Sequence, residues 1–303
     1  MAAGRRRIVA RSDALGVRWA DRVAALNAAL PALEAHRAAV TDASVTPPAY
    51  YLAPFHAYPD GNVGWAPALE VEASALAVHA PLDPTGGLGG DALLRTNFMR
   101  ILREHVDPGA VRRVVDLGCS TGLSTFALAD AFPDTAITGV DLSPHMLAVA
   151  RYRAAERAAG GGDGDGGGGG SSTAATAAAA TTSGPITFIH RRAEDTRLPA
   201  ASVDLVTLSL VAHELPSTAL AAIATEAARL LRSGGTFALM DADPAAWAAV
   251  PPPVFVLFAS TEPWVGEYAR LDVAAVLERA GLAVRGGGKN TARHRTVVAV
   301  KEA

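Results

Sequence analysis

The sequence predicts an α/β protein built on a doubly wound, mostly parallel sheet, and two patterns lead to this prediction. From about Val111 onward, short apolar stretches rich in Val, Ile and Leu alternate with longer segments whose apolar residues recur at helical spacing. Glycines, prolines or acidic residues separate these segments. Alternation of this kind is typical of βαβ units, in which helices cover both faces of a parallel sheet.

The first ninety residues are predicted to be an N-terminal segment of helices followed by a lid. Apolar residues recur at helical spacing from Asp13 to about Ala39, and Pro31 is expected to interrupt this pattern. The next stretch mixes prolines with aromatic residues, which favours a shaped loop over a regular helix. We expect these aromatics to line a substrate pocket, and core packing is the alternative for each. They are Tyr50, Tyr51, Phe55, Tyr58 and Trp65.

Residues 91–303 are predicted to form the main domain. Its expected helices lie at 91–106, at 123–132, at 143–159, in a segment ending near Arg232, and at 271–280. Its expected strands lie at 111–115, 135–140, 186–190, 203–210, 235–241 and 295–300. Residues 160–184 contain Gly, Ala, Ser, Thr and two acids but no large apolar side chain, so we predict a disordered insertion outside the fold.

Composition argues against several classes of protein. The net charge of -3, without a long basic run, argues against a nucleic-acid partner. Cys119 is the single cysteine, so no intrachain disulfide is expected. No apolar run reaches the ~18 to 20 residues that a membrane span needs. The opening MAAGRRRIVARS is Arg-rich, as in organelle transit peptides, so the expected location is intracellular, with cytoplasm and plastid both open.

The stretch VVDLGCSTGLS, residues 114–124, has two incompatible interpretations. As G-x-S-x-G, it makes Ser120 the nucleophile of a serine hydrolase, and Asp241 and His294 follow in the chain order that such a triad requires. However, no His-Gly-Gly oxyanion loop precedes it, and 111–115 is the first expected core strand. The hydrolase therefore remains an alternative with an incomplete scaffold.

As D-x-G-x-x-x-G, the same stretch describes a turn that binds a nucleotide-like cofactor. Asp116 ends a strand, Gly118 allows a tight turn, and Gly122 lets the next helix begin close beneath a ligand. Asp141 closes the following strand, where an acid can accept hydrogen bonds from both hydroxyls of a ribose. The ends of parallel strands share one edge of a sheet, so this interpretation predicts a single ligand cleft.

Five motifs in order resemble those of class I S-adenosylmethionine-dependent methyltransferases of the methyltransferase-11 type. They are VVDLGCSTG, GVDLSPHML, AEDTRLP, VDLVTLSLVAHEL and LLRSGGTFALMD, and the match covers residues 91 to 300 apart from the insertion. The resemblance implies a seven-stranded Rossmann-like sheet and S-adenosylmethionine as cofactor. The residues that it implies around the cofactor are Asp116, Gly118, Cys119, Ser120, Gly122, Asp141, Leu142, Met146, Glu194, Asp195 and Ser209.

Three of these positions carry more specific expectations. Glu194 or Asp195, after the third strand, is expected to accept from the exocyclic amine of the adenine. Glycine is common in the family where this chain has Ser120, and a small serine is tolerable there if its φ stays negative.

His213 and Glu214 are candidate catalytic residues because they follow the fourth strand, near the expected position of the methyl group. A structural turn is the alternative for Glu214. HELPS lacks the second histidine of H-E-x-x-H, since Ser217 stands in its place, so no metal is expected. If the aromatic segment proves to be core, the acceptor pocket is expected around His213 and residues 260–268.

The sequence therefore predicts methyl transfer to an O, N, C or S nucleophile of a small molecule by in-line displacement. Alignment and exclusion of water are the expected contributions of the protein. A cofactor-binding module without transfer activity and the Ser120 hydrolase are the alternatives.

Overall fold

A computed structural model describes residues 9–52, 54, 56, 58, 61–160, 184–250, 259 and 262–302 of the 303-residue chain. Its N-terminal part contains helices α1 (Trp19–Ala28), α2 (Leu30–Val40) and α3 (Trp65–His79), with a short 3₁₀ turn at Ala49–Tyr51. Pro31 lies in the first turn of α2. Backbone N–H groups in the first turn have no hydrogen-bond partner within the helix, so proline is tolerated there although it lacks an N–H. The predicted interruption of the first helical pattern is confirmed.

The rest of the chain alternates strands and helices as predicted. The helices are α4 (Gly90–His105), α5 (Leu123–Ala131), α6 (Pro144–Ala158), α7 (Ser217–Leu230), α8 (Pro244–Ala248), α9 (Val265–Tyr268) and α10 (Val273–Arg279). The strands are β1 (Arg113–Leu117), β2 (Ala136–Asp141), β3 (Ile186–His190), β4 (Val203–Ser209), β5 (Leu231–Ala242), β6 (Leu282–Lys289) and β7 (His294–Lys301).

The seven strands form one sheet in the order β3-β2-β1-β4-β5-β7-β6. The five strands from β3 to β5 are parallel, whereas β7 runs antiparallel to β5 and β6 antiparallel to β7. The doubly wound, mostly parallel fold is therefore confirmed. Strands β2 and β3 extend the sheet on one side of β1, and the chain then returns to place β4 on the other side of β1. This reversal opens a crevice at the carboxyl ends of β1 and β4, where such sheets bind ligands.

Apolar side chains on the two faces of the sheet build two core clusters. One face packs against α7 and α10, and this cluster includes Leu117, Leu208, Phe237, Leu220, Ile223, Val276 and Leu277. The other packs against α4 and α5, and this cluster includes Val114, Leu205, Met240, Phe98, Leu102 and Leu128. Helices on both faces explain why these strands are almost continuously apolar.

The N-terminal helices pack beside α6, next to the β2–β3 edge of the sheet. Leu26 and Leu33 share a buried cluster with Met146 and Val149 of α6. The domain boundary near residue 90 remains a prediction, as does the disorder of the insertion, because 161–183 lies outside the described residues. Within the described part of the chain, no helix is long and apolar enough to cross a membrane.

Candidate active site

The turn after β1 has the geometry of a ligand cradle. Gly118 and Gly122 adopt positive φ angles of 67° and 90°. A Cβ atom on Gly118 would lie 2.7 Å from Cγ2 of Val211, so glycine is needed there for both its φ and its size. Ser120 also has a positive φ, 51°. The condition under which a serine is tolerable here, a negative φ, is therefore not met, and the turn holds Ser120 in a conformation that favours glycine.

Asp116 lies beneath this turn rather than in the cleft. Its carboxylate is completely buried and accepts hydrogen bonds from the hydroxyls of Ser124 and Thr125, both at 2.7 Å, and of Thr207 at 2.8 Å. Burial raises its pKa, and the three hydroxyl donors oppose that effect. These contacts fix the start of α5 against β1 and β4, so the geometry gives Asp116 a supporting role instead of direct contact with a cofactor.

Asp141 closes β2 at the same edge of the sheet. Its two carboxylate oxygens accept hydrogen bonds from the backbone N–H groups of Ser120 and Ser143, each at 2.8 Å. Burial raises its pKa to about 6 although these donors lower it. The side chain is buried, and only 6% of the residue is exposed. Asp141 and Ser120 are nevertheless brought together as the cofactor interpretation requires.

The remaining side chains near the turn are small or apolar. Cys119 is buried against Phe126 and Phe188, and burial raises its pKa well above the ordinary value. The Ser120 hydroxyl lies 3.4 Å from the sulfur of Met146.

Asp241 contacts His213 at 2.6 Å, whereas Nδ1 of His294 contacts Thr291. These contacts argue against the Ser120 hydrolase, because the acid and the histidine of its triad are engaged with other partners.

Tyr50 and Tyr51 lie over the carboxyl edge of the sheet. The Tyr50 hydroxyl donates a hydrogen bond to the carboxylate of Glu194. The pKa of Tyr51 is raised well above its ordinary value by burial and then by the carboxylates of Asp141 and Glu214. The Ala49–Tyr51 turn therefore lies near Glu194 and within electrostatic reach of Asp141 and Glu214.

The structure also separates the two candidates for adenine recognition. The Glu194 side chain is 10% exposed and faces Tyr50, whereas that of Asp195 is 61% exposed beside Arg197. Leu142, between Asp141 and Ser143, has a carbonyl oxygen that accepts from Nε2 of His190 at 2.9 Å. Glu194 is thus placed to contact a ligand in this cleft, and Asp195 faces solvent.

Two of the predicted lid aromatics bond to residues of the N-terminal helices. The Tyr58 hydroxyl donates to Glu70 of α3 at 2.6 Å. Trp65 begins α3, and its Nε1 donates to Glu34 of α2 at 2.9 Å. Tyr58 and Trp65 thus bond to acidic residues of the helical part, the buried Glu70 and the half-exposed Glu34, and their contact with a substrate remains a prediction. Phe55 lies outside the described residues.

A second polar cluster lies beyond the ends of β4 and β5, and we call it the acidic cluster. Its members are His56, His213, Glu214, Asp241 and Glu262. His213 Nδ1 contacts Asp241 at 2.6 Å, and His213 Nε2 lies 4.0 Å from Glu262. Nε2 of His56 lies 3.7 Å from Glu214 and 3.6 Å from Glu262. Thus the two histidines pair with all three carboxylates.

Burial lowers the pKa of His213, but the adjacent Asp241, followed by Glu262 and Glu214, raises it to about 10. This imidazole is therefore protonated at neutral pH and cannot serve as a base there. Burial raises the pKa of Glu214, whereas the two histidines lower that of Glu262. Sequence reasoning missed His56 and Glu262 as site residues, and only the position of Glu262 within 260–268 pointed to it.

Ser209 is the last residue of β4, and it is buried. Its hydroxyl has no hydrogen-bond partner within the described part of the chain. Among the same residues, no group of three or more His, Cys, Asp or Glu side chains is arranged to hold a metal ion.

Comparison with known proteins places this site in a family. Two family models, each described as a methyltransferase domain, match residues 114–161 and 167–239. An uncharacterized methyltransferase of Synechocystis is 27% identical over 182 residues, which cover 59% of this chain and 69% of that protein. Trans-aconitate 2-methyltransferase of Methylobacterium nodulans is 49% identical over 59 residues, but these cover only 20% of this chain and 23% of that protein.

Solved structures agree on the fold. Magnesium protoporphyrin IX methyltransferase from Synechocystis, with bound S-adenosylhomocysteine, has a TM-score of 0.50 and 18% identity, covering 70% of this chain and 85% of that chain. A protein from Pyrococcus horikoshii has a TM-score of 0.50 and 16% identity, covering 70% of this chain and 92% of its own.

The fold is thus that of a Rossmann-like methyltransferase, as the seven-stranded sheet had indicated. The family models and the relatives together support a class I S-adenosylmethionine-dependent methyltransferase of the methyltransferase-11 type. The family and the cofactor predicted from the sequence are confirmed.

Proposed function

We propose that this chain transfers a methyl group from S-adenosylmethionine to a small-molecule acceptor. The observation that carries the proposal is the pairing of Asp141, at the end of β2, with the backbone N–H of Ser120, in the turn after β1, at 2.8 Å. This pairing joins the acid that suits a ribose to the turn that suits the methionyl group. The turn after β1 borders the crevice between β1 and β4, where the strand order reverses.

The residues present fit the cofactor. A carboxylate offers about four acceptor positions, and the Asp141 carboxylate uses one on each oxygen for a backbone N–H. The others remain for the two ribose hydroxyls. Gly118 keeps the cradle free of a side chain, and the unpartnered hydroxyl of Ser209 is available at the floor. By the same proposal, Leu142 and Met146 lie against the adenine and Glu194 accepts from its amine.

When bound, the cofactor supplies a methyl group that its sulfonium sulfur already activates. The protein contributes alignment and exclusion of water, and alignment alone is worth up to ~7 to 11 kcal/mol of a barrier. By this proposal, Tyr50 and Tyr51 cover the cleft and exclude water. The faces of their rings also favour a positive charge. Because Asp141 is only 6% exposed, the Ala49–Tyr51 turn has to move before a ribose reaches it.

Thermal unfolding with S-adenosylhomocysteine tests this proposal without knowledge of the acceptor. A ligand that binds only the native state raises the melting temperature, and 100 times its Kd stabilises by about 2.7 kcal/mol. We expect such a rise, together with transfer of label from methyl-labelled cofactor to compounds of a metabolite extract. An unchanged melting temperature at saturation, with labelling of Ser120 by a fluorophosphonate, would favour the hydrolase instead.

A further inference from the structure

The acidic cluster has the composition of a binding site for a cation. It contains three carboxylates, from Glu214, Asp241 and Glu262, and the protonated His213 balances one of them. These residues come from separate segments that the fold brings together at the ends of β4 and β5. The carboxylates of both Asp141 and Glu214 contribute to the raised pKa of Tyr51, so this side chain lies within electrostatic reach of the cleft and of the cluster.

Glu262 provides an independent sign that a ligand is accommodated. The residue is only 9% exposed, and its Oε2 has no hydrogen-bond donor within the described residues. Nε2 of His213 is 4.0 Å away from this oxygen, which is too far for a hydrogen bond. Leaving a carboxylate oxygen buried without a donor is unfavourable, so this oxygen suits a donor that arrives from outside the chain.

His56 shows what kind of group fits between the carboxylates. Its ring nitrogen lies 3.7 Å from Glu214 and 3.6 Å from Glu262, so an N–H group already approaches both. The His56 side chain is 38% exposed, and its interaction with Glu262 lowers the pKa of that carboxylate. A ligand with a more compact cationic nitrogen can therefore approach both oxygens more closely than this imidazole does.

The segments that flank the cluster, residues 44–65 and 243–268, contain no lysine or arginine that would bind an anion. An acceptor with a carboxylate or a phosphate would meet like charges here and no arginine fork or lysine from either segment. The same arrangement favours a positively charged group.

We propose, resting on the function proposed above, that the methyl acceptor is a small molecule with a protonated amine, held between Glu214 and Glu262. One carboxylate accepts a proton from the ammonium group and so frees the lone pair of the nitrogen. A nitrogen–carbon bond then forms as the sulfur–carbon bond breaks, and the electron pair of the broken bond stays on sulfur. The product is the methylated ammonium ion, and the transferred proton remains on the carboxylate until it passes to solvent.

Glu214 is suited to the role of proton acceptor. Burial raises its pKa, so its carboxylate is a stronger base than an exposed glutamate. His213 does not compete for that role, because Asp241 keeps it protonated. The positive charge of His213 instead helps to lower the pKa of Glu262, so that Glu262 stays ionised and attracts the ammonium group.

The charge of the labelled product tests the acceptor class. The protein is incubated with methyl-labelled cofactor and a metabolite extract, and the small molecules are separated on cation- and anion-exchange resins. The unreacted cofactor is itself a cation, so we expect label in the cationic fraction beyond that of a sample without the protein. Glu214→Gln and Glu262→Gln should each reduce it about tenfold or more, since each removes a charged partner without changing size. Glu104→Gln, at an exposed surface pair with Arg100, is the matched control and should have no effect. Label in an anionic or neutral product would overturn the proposal.

A binding measurement separates this proposal from the proposed function. With S-adenosylhomocysteine saturating, the melting temperature is measured with benzylamine, benzyl alcohol and benzoate, three probes of similar size. We expect a rise with benzylamine alone, and its loss in Glu262→Gln. An equal or larger rise with benzoate or benzyl alcohol, or none with benzylamine, would contradict the amine assignment. Failure of S-adenosylhomocysteine itself to raise the melting temperature would instead refute the proposed function.

Discussion

The two halves of the candidate active site are built in different ways. The cofactor half, at the ends of β1 and β2, consists largely of backbone: left-handed residues of a tight turn and N–H groups held by Asp141. The acceptor half, at the ends of β4 and β5, consists of charged side chains from widely separated segments. One half depends on local turn geometry, and the other depends on how distant loops pack.

This difference has a physical consequence for the two functions. Every residue except proline carries the same backbone N–H and C=O groups, so a site made from these groups keeps its hydrogen-bonding groups under many substitutions. A site made from charged side chains changes when those side chains are replaced. The cofactor half therefore suits a ligand that is the same for the whole family, and the acceptor half suits the ligand that distinguishes one protein from another.

Removing the support beneath the cofactor half should have the largest effect. Asp116→Ala deletes the acceptor of three buried hydroxyls, each of which costs about 1 to 3 kcal/mol when left unpaired. We expect the free energy of unfolding to fall by about 3 kcal/mol or more in urea denaturation. Asp134→Ala, at an exposed position, should change it by less than about 0.5 kcal/mol. Equal effects of the two variants would contradict the supporting role.

The acceptor half should make stability depend on alkaline pH. His213 has a folded pKa of about 10, above its unfolded value, so its contribution is complete below about pH 6.5 and is lost as pH rises through about 10. We expect the free energy of unfolding to fall by up to about 1.4 kcal/mol per pH unit between pH 7 and 10. Denaturation of His213→Gln over the same range should show a flatter slope, and an identical slope would disprove the assignment.

The cofactor half should depend on acidic pH through Asp141. The ribose hydroxyls need the ionised carboxylate, whose pKa in the free protein is about 6. The affinity for S-adenosylhomocysteine should therefore fall as pH decreases below 6, by up to about tenfold per pH unit. Titration calorimetry between pH 7 and 5 measures this, with Asp141→Asn as the variant that should lack the dependence. If the variant keeps the full dependence, another group is responsible.

The smallest expected effect concerns the left-handed serine. Ser120→Gly relieves a positive φ of 51° and keeps the backbone N–H that Asp141 accepts. The relief of about 1 kcal/mol or more exceeds the entropy that glycine adds to the unfolded chain, so we expect a gain of about 0.5 kcal/mol in urea denaturation. Ala201→Gly, at an exposed residue with a φ of 50°, is the matched control and should gain similarly. A clear loss at Ser120 alone would indicate that its hydroxyl has a role.

The sequence was informative where function depends on neighbours along the chain. Gly118, Gly122 and Asp141 follow strands directly, so their spacing was enough to predict that they meet at one edge. The sign of φ at Ser120 depends on the closure of the whole turn and was not predictable from residue type. Strand β6 was also missed, because three consecutive glycines interrupt its apolar pattern and it forms by pairing with β7.

Long-range packing limited the prediction of the acceptor half. An aromatic residue does not reveal its partner, so nothing local distinguished Tyr51, which lies near Asp141, from Tyr58, which bonds to Glu70. His56 and Glu262 lie far apart in the sequence and meet only because loops at both ends of the chain reach the same edge of the sheet.

Calorimetric titration of S-adenosylhomocysteine into the wild type and Asp141→Ala tests the central claim most directly. Hydrogen bonds to a charged group are worth about 1.5 to 3 kcal/mol each, so we expect the variant to lose tenfold or more in affinity. Asp134→Ala should bind as the wild type does. Unchanged affinity in a folded Asp141→Ala protein would contradict the assignment of this strand end to the cofactor ribose.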